Sequence, residues 1–464
     1  MYEAGPKAAG PSESSESVES GNVPERWRPS TRVGFRFVFS YLFLVGLSFA
    51  SEMIAFASYD LQSKVKWPPP IWPPWTDQAF NFTGCVQWVG RHIFHLHKPV
   101  RFLVGYDTMF DYLKLFCLLL LALLCAAAWT VMDRKRLHYR RLLEWLTLFL
   151  QVVLAGEMFS YGFEKIFPNQ FGSLSKLEML QPVGDLSRMD LLWRFMAASR
   201  GYTIFGGLME ILGGILLLIP RFRRIGALVC VAVMVNVFAL NLSYDVSVKL
   251  VSCNLLLLAI FLAVPEFPRL VRLLVFNSAA PPVRSTLLSE RRWIDRSARI
   301  LQFILGVVLF FVFFYGEDRR YSQSKAELAV TVPFQGVWMA NEINISGDSK
   351  RGLFSEKTVG PLHLAPGDDR WTRLIFERPN ELIVQSLNGY QFRLKLVLDN
   401  SNTTSQLRES DDPAWTGDLK IQQTAPDMLV LQGKVNEEDV FIKLHRLNDS
   451  AFRLTNGEYR LIRE

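Results

Sequence analysis

The chain has 464 residues, 50% of them hydrophobic and 13% aromatic, with a mean hydropathy of +0.16 and a formal charge of +7. A positive mean carried by several uncharged runs of about 20 residues, the length that a hydrocarbon core demands, excludes an ordinary soluble domain and defines a polytopic membrane protein. The basic excess sits in short loops between those runs, as membrane orientation requires, so it does not indicate a nucleic-acid partner; Walker, G-x-G-x-x-G and hydrolase-elbow motifs are also missing from the sequence.

In chain order, residues 1–32 form a Gly/Ser/Glu-rich tail ("GPSESSESVES") with no apolar centre, expected to be disordered and cytoplasmic rather than a cleaved signal. Seven spans follow, at 33–57, 112–132, 142–162, 202–219, 225–242, 248–264 and 298–315. Basic clusters ("RWRPSTR", "DRKRLHYRR", "RFRR", "RRWIDRSAR") mark alternate loops as cytoplasmic, so the N-terminus lies inside and the C-terminus outside. The outer loop 58–111 contains "WPPPIWPPW", expected as a rigid connector at the membrane interface. It also holds "RHIFHLH", whose His92, His95 and His97 are weak metal candidates: on a helix only the first two share a face. In the second outer loop, Ser187 and Asp190 make a capping box ahead of an apolar stripe (Leu191, Leu192, Phe195, Met196), which predicts a short interfacial helix. The five cysteines form no C-x-x-C, and four lie in apolar runs, which argues against disulfide, zinc or dithiol chemistry.

Residues 329–464 change to period-two alternation: "RLIF", "LIVQS", "YQFRLKLVL", "LVLQGKV", "VFIKLHRL" and "AFRL" read as strands, with a hairpin signal at Asn388-Gly389. Eight to ten short strands predict a closed antiparallel barrel or a sandwich outside the membrane. "GVW" (336–338) resembles the G-x-W of lipocalins, which leaves a small-ligand barrel open beside a structural cap.

The spans carry charge. Glu157, Tyr161 and Lys165 recur at steps of four, as do Asn241, Asp245 and Lys249, with Asn236 deeper and Glu52 near the outer end of the first span. Glu210 sits eight residues from its span's outer end, roughly 12 Å at 1.5 Å per residue. A lone charge at mid-bilayer costs about 3 kcal/mol or more, so these groups are expected to meet in a polar pocket among spans three to five, opening outward. Glu157, Glu210 and Asp245 would supply acid, Lys165 and Lys249 counter-charge. The alternatives are solvation or snorkelling for Glu164, Lys165, Asp245 and Lys249 at the span ends, and a structural ion pair for the rest. Gly206, Gly207, Gly213 and Gly214 beside Glu210 imply close helix packing.

"YGFEKIFPNQF", "YTIFGGLMEILGGILLLIPRFRRIGAL" and "NLSYDVSVKL" resemble the DoxX-like family of bacterial membrane proteins: its G-x-x-K element, its E-x-x-G-G-x-L-L-L span with a basic turn, and the following polar-ended helix, over about 142–268. The resemblance implies a four-helix membrane core from spans three to six. It also implies quinone-linked redox work, since one branch of that family is a subunit of a thiosulfate:quinone oxidoreductase. This chain departs from the pattern in its three added spans, its β domain and its lack of a cysteine pair. The leading expectation is a redox-associated subunit of the cell (inner) membrane, with or without catalysis of its own, working with a partner oxidoreductase subunit. In it Glu210 and Glu157 exchange protons, Tyr161 is a hydrogen-bond partner, and Lys165, Asn241, Asp245 and Lys249 bind a quinone headgroup. The competing expectations are a non-catalytic scaffold or assembly factor whose β domain binds an extracytoplasmic protein or lipid, and a small-solute transporter, which the lack of an inverted repeat disfavours.

Overall fold

The structure is a computed structural model that describes residues 27–64, 83–97, 100, 107–279, 288–328, 332–345, 348–350, 371–386, 391–399, 404–409, 416–435, 438–452 and 454. Most of the N-terminal tail, "WPPPIWPPW" and the Asn388-Gly389 turn lie outside them.

The helices are α1 (Pro29–Lys64), α2 (Thr83–His92), α3 (Met109–Met132), α4 (Arg140–Ile166), α5 (Lys176–Leu180), α6 (Arg188–Ala198), α7 (Arg200–Leu218), α8 (Arg223–Ser243), α9 (Lys249–Ala263), α10 (Phe267–Leu274) and α11 (Arg292–Leu328). Among the described residues, seven apolar stretches, with α9 and α10 counted together, are long enough to cross a bilayer. They make the chain an integral membrane protein in contact with lipid.

α4 is the hub. It packs on α7, α7 on α8, α8 on α9, and α9 returns to α4, so spans three to six do close a four-helix ring. The other faces of α4 are covered by α1 and α11, and α3 lies against α1. Its core face buries Leu146, Leu150, Leu154, Met158 and Phe159. Glycine brings α4 and α7 together: a Cβ at Gly207 would stand 2.5 Å from the Gly162 carbonyl oxygen and 3.0 Å from Lys165 Cβ. Gly213 and Gly214 are equally tight, against Cys230 and Phe159, whereas Gly206 is open. At the basic end of the bundle the buried Arg36 donates to the Tyr139 hydroxyl (2.7 and 3.0 Å), Thr130 Oγ1 (2.9 Å) and the Asp133 carbonyl (2.6 Å), which ties α1 to the α3–α4 turn.

The C-terminal domain is a closed antiparallel barrel. Its strands are β1 (Gly336–Ile345), β2 (Asp348–Lys350), β3 (Trp371–Phe376), β4 (Glu381–Ser386), β5 (Gln391–Leu398), β6 (Thr404–Glu409), β7 (Thr416–Ala425), β8 (Met428–Val435) and β9 (Glu438–Arg446). Strands β3 to β9 pair in sequence, β1 pairs with both β3 and β9, and the short β2 extends β1 outside the ring. The β4–β5 register, Gln385 against Gln391, is the hairpin expected at that point. In "AFRL" Ala451 ends a 3-10 turn (449–451) and Phe452 is not in a strand, while β6 and β7 are not among the strands read from the sequence. Trp338, Trp371, Leu374, Phe376 and the inward residues of every other strand of the ring fill the interior, as an eight-stranded ring allows. The tryptophan of the G-x-W likeness therefore packs in the barrel core.

Candidate functional site: a buried ion pair in an apolar cavity

Within the four-helix ring, on the side nearer the barrel, lies a cavity of about 330 Å³. Its polar centre is Lys165 with Glu210: the Lys165 Nζ donates to both carboxylate oxygens at 2.9 Å, and to the Tyr161 carbonyl at 3.3 Å. Both side chains are over nine-tenths buried. The geometry follows from helix direction. Every Cβ tilts toward its own helix N-terminus, so Lys165, near the end of α4, sends its chain into the bundle. Glu210 on the antiparallel α7 points back to meet it. Gly206 and Gly207 bring no side chain between them.

The walls are apolar and adaptable: Met158, Met196, Met209 and Met234 with Phe171, Trp193, Leu240 and Leu255. Three amides complete the lining. Asn241 is 7% exposed and its side chain has no hydrogen-bond partner among the described residues. Gln170 Oε1 is buried without a partner, and Asn236 stands at the rim on α8. A buried amide oxygen left unpaired costs about 1–3 kcal/mol, so Gln170 Oε1 marks a place where a polar ligand or water completes the bonding. Lys165 and Glu210 cancel in charge, and the remaining donors and acceptors are neutral.

The barrel-side end of this cavity is roofed rather than open. Leu192 and Met196 of α6 and Val246 are buried together, with Phe171, Trp193 and Tyr244 packed around them. The Ser187–Asp190 capping box starts α6 as expected, Asp190 N donating to Ser187 Oγ at 3.0 Å. At this end, where the sequence reading places an opening, Leu192 and Met196 of the α6 stripe line the cavity, while Leu191 and Phe195 are exposed.

Tyr161, Lys165, Glu210 and Asn241 thus come together, and three other expected members do not. Glu157 is buried but lies on a different face of α4; its charged neighbours are Glu52 and Glu164, and the adjacent Gly156 lies against Met53 and Leu309. Asp245 and Lys249 do not line the cavity, because α8 ends at Ser243 and the four-residue stripe is broken at 244–248, where Asp245 takes a positive φ of 54°. Instead Asp107 accepts from the Lys249 and Leu250 amides (2.7 and 2.9 Å), satisfying the first turn of α9, and Lys249 Nζ pairs with Asp245 at 2.8 Å. The hydrogen bond and charge from Lys249 hold the exposed Asp245 carboxyl below its ordinary range. A lowered carboxyl contributes above its ordinary pKa and loses that contribution as pH falls through the lowered one. His92 and His95, which would share a face on a helix, do not lie on one: α2 ends at His92, whose ring stacks on Trp88 (4.8 Å), and His95 and His97 lie beyond it, all exposed.

Sequence reasoning missed a second polar knot. Glu317, fully buried on α11, accepts from Asn169 Nδ2 (2.7 Å) and Arg320 Nη1 (2.8 Å), and Arg320 also reaches Glu164 at 3.4 Å. Its signal was the Glu317–Arg320 spacing, placed just past the expected end of the last span. Gln151 and Gln302 likewise pair across α4 and α11 at 2.8 Å, deep in the bundle.

Fold and site define a multi-pass membrane protein whose four-helix core encloses a small amphiphilic cavity beneath a β-barrel. Over 113 residues, 24% of this chain and 71% of the relative, the sequence is 32% identical to uncharacterized protein YwoB of Bacillus subtilis (strain 168), and the chain belongs to the family of that protein. No family model and no solved structure matches it.

Proposed function

We propose that the protein is a redox-associated subunit of DoxX-like type in the cell (inner) membrane, which holds the headgroup of a bilayer quinone in the Lys165–Glu210 cavity and works beside a partner oxidoreductase subunit. The observation that carries this reading is the buried, charge-neutral Lys165–Glu210 pair set in apolar walls beside the unpartnered Asn241 amide. A cavity of about 330 Å³ is near the lower limit for small-molecule sites, which fits a ring head rather than a whole isoprenoid. When bound, a quinone supplies a carrier for two electrons and two protons, the electrons coming from the partner subunit. Glu210 is the group placed to pass a proton at its carboxylate, with Lys165 Nζ as the fixed counter-charge. Asn241 and Gln170 orient the head through neutral hydrogen bonds, and the methionine-rich walls exclude water. In this reading the barrel is extracytoplasmic and the N-terminus cytoplasmic, supported by the four basic loops at the bundle end away from the barrel.

The test is quinone-dependent electron transfer in membranes carrying wild-type chain or Glu210→Gln, with headgroup binding measured in parallel. Loss of a positioned proton-transfer group lowers rate by about 100-fold or more, whereas binding through the amides persists. Equal rates would remove the reading in favour of the scaffold alternative, in which the pair serves packing alone.

A further inference from the structure

The roof over the cavity raises the question of how anything enters it, and the exposed members of its lining answer. Tyr202 and Phe205 on α7 are 48% and 55% exposed, and Ala232 and Asn236 on α8 are also at the surface, although all four line the cavity. The opening is therefore a slot between α7 and α8. Its flanks are Leu208 and Leu212 on α7 and Val235 on α8, all at least 40% exposed, as on a helix face turned to lipid. Counted from Arg200 and from Ser243, Phe205 and Asn236 lie five and seven residues inside the barrel-side helix ends, roughly 8 and 10 Å along the axis. That is within a leaflet's hydrocarbon, where only a lipid-dissolved molecule arrives. Asn236 is out of place on such a surface. Its amide has no partner among the described residues, and apolar surroundings penalise an unpaired amide. It is explained if polar groups pass over it.

We propose that the cavity is loaded sideways from the barrel-side leaflet by a single-tailed amphiphile with an uncharged, hydrogen-bonding head. The head crosses the sill at Asn236 to reach Asn241 and the ion pair; the tail stays in the slot, against Phe205 and Ala232. The head is uncharged because Lys165 and Glu210 already neutralise each other, so a further ion would meet no counter-charge. The tail remains outside because the cavity holds a head only. This inference rests on the ligand-binding reading above and adds its route.

The experiment uses the full chain in liposomes with two probes, a benzoquinone bearing a ten-carbon tail and the tailless ring. Ala232→Trp narrows the slot, and Ala128→Trp adds equal bulk to an exposed position of α3, away from the slot. With Ala232→Trp, association and dissociation of the tailed probe should both slow by about tenfold or more; Ala128→Trp should leave both rates as in wild type. Equal kinetics for the two variants would overturn lateral entry while leaving the site intact. Wild-type chain that binds neither probe would remove the site, and the route with it. Should Ala232→Trp fail to fold, the thiol placed by Ala232→Cys is reacted with a long-chain N-alkylmaleimide and followed by mass spectrometry. Bound tailed probe should protect it and bound ring should not; protection by both, or by neither, would overturn the proposal.

Discussion

At the scale of single residues, the molecule turns on one lysine that does not reach for water. Lys165 is one residue from the end of α4, where a long cation usually snorkels to the interface, yet both its ammonium and the Glu210 carboxylate are buried. Breaking such a pair from one side leaves an uncompensated buried charge, at about 3–5 kcal/mol, while replacing both members by apolar groups of similar volume is close to neutral. Lys165→Met and Glu210→Leu should each lower thermal stability strongly in detergent, and the double variant should regain most of the loss. Additive losses would mean that the two side chains do not act as a pair. The sequence made Glu210 conspicuous through its depth, but it grouped Glu157 with Lys165. The reason is geometric. Each four-residue step overshoots one turn by about 40°, so two steps carry Lys165 about 80° away from Glu157, whereas seven residues bring Glu164 back to within about 20°.

Among elements, the α4–α7 crossing sets the site, since it brings the backbones of Gly162 and Gly207 into contact. Gly207→Ala places a methyl against a backbone oxygen that cannot swing away, so the helices must part. Overpacking of this kind costs about 1–3 kcal/mol, and it also displaces Lys165. A lower melting temperature and weaker headgroup binding are expected together, whereas Gly206→Ala, whose added Cβ meets only Lys165 Cδ at 3.9 Å, should be near neutral on stability. The glycines were legible because they flank a charged residue in an apolar run. The end of α8 was not: "SYDVSV" contains neither glycine nor proline, and an aspartate entering the left-handed region breaks the helix with no compositional sign. β7 escaped for a similar reason, its inward face offering only Gly417, Leu419 and Ile421 to an alternation test.

For the whole molecule, the notable connection is between barrel and cavity. Leu177 and Leu180 of α5 pack against Val337, Ile375 and Ile383 on the outside of the barrel. Gln385 Nε2 donates to the Leu180 carbonyl (2.9 Å), and Lys176 Nζ pairs with Asp449 at 2.7 Å. Arg194 of α6 donates to the Glu178 carbonyl at 2.7 Å and to Gln181 Oε1. The strap that roofs the cavity is thus held to the bundle on one side and to the barrel on the other. Leu180 is partly buried, so Leu180→Asp removes about 1–2 kcal/mol of apolar burial, and protease cleavage between residues 170 and 199 should accelerate about tenfold; an unchanged rate would mean that the barrel does not hold the strap. The two halves of the fold were legible separately, from run length and from alternation. Their junction was not, because a five-residue helix with two leucines has no periodicity to detect. The seam between β1 and β9 bears on biogenesis. Until residue 446 has left the ribosome, the first and eighth strands each present a bare edge, which invites pairing with other chains. The seven helices can therefore be inserted and assembled while the sheet still waits for its closing strand, and the strap over the cavity acquires its anchor only after the barrel strands that hold it have followed.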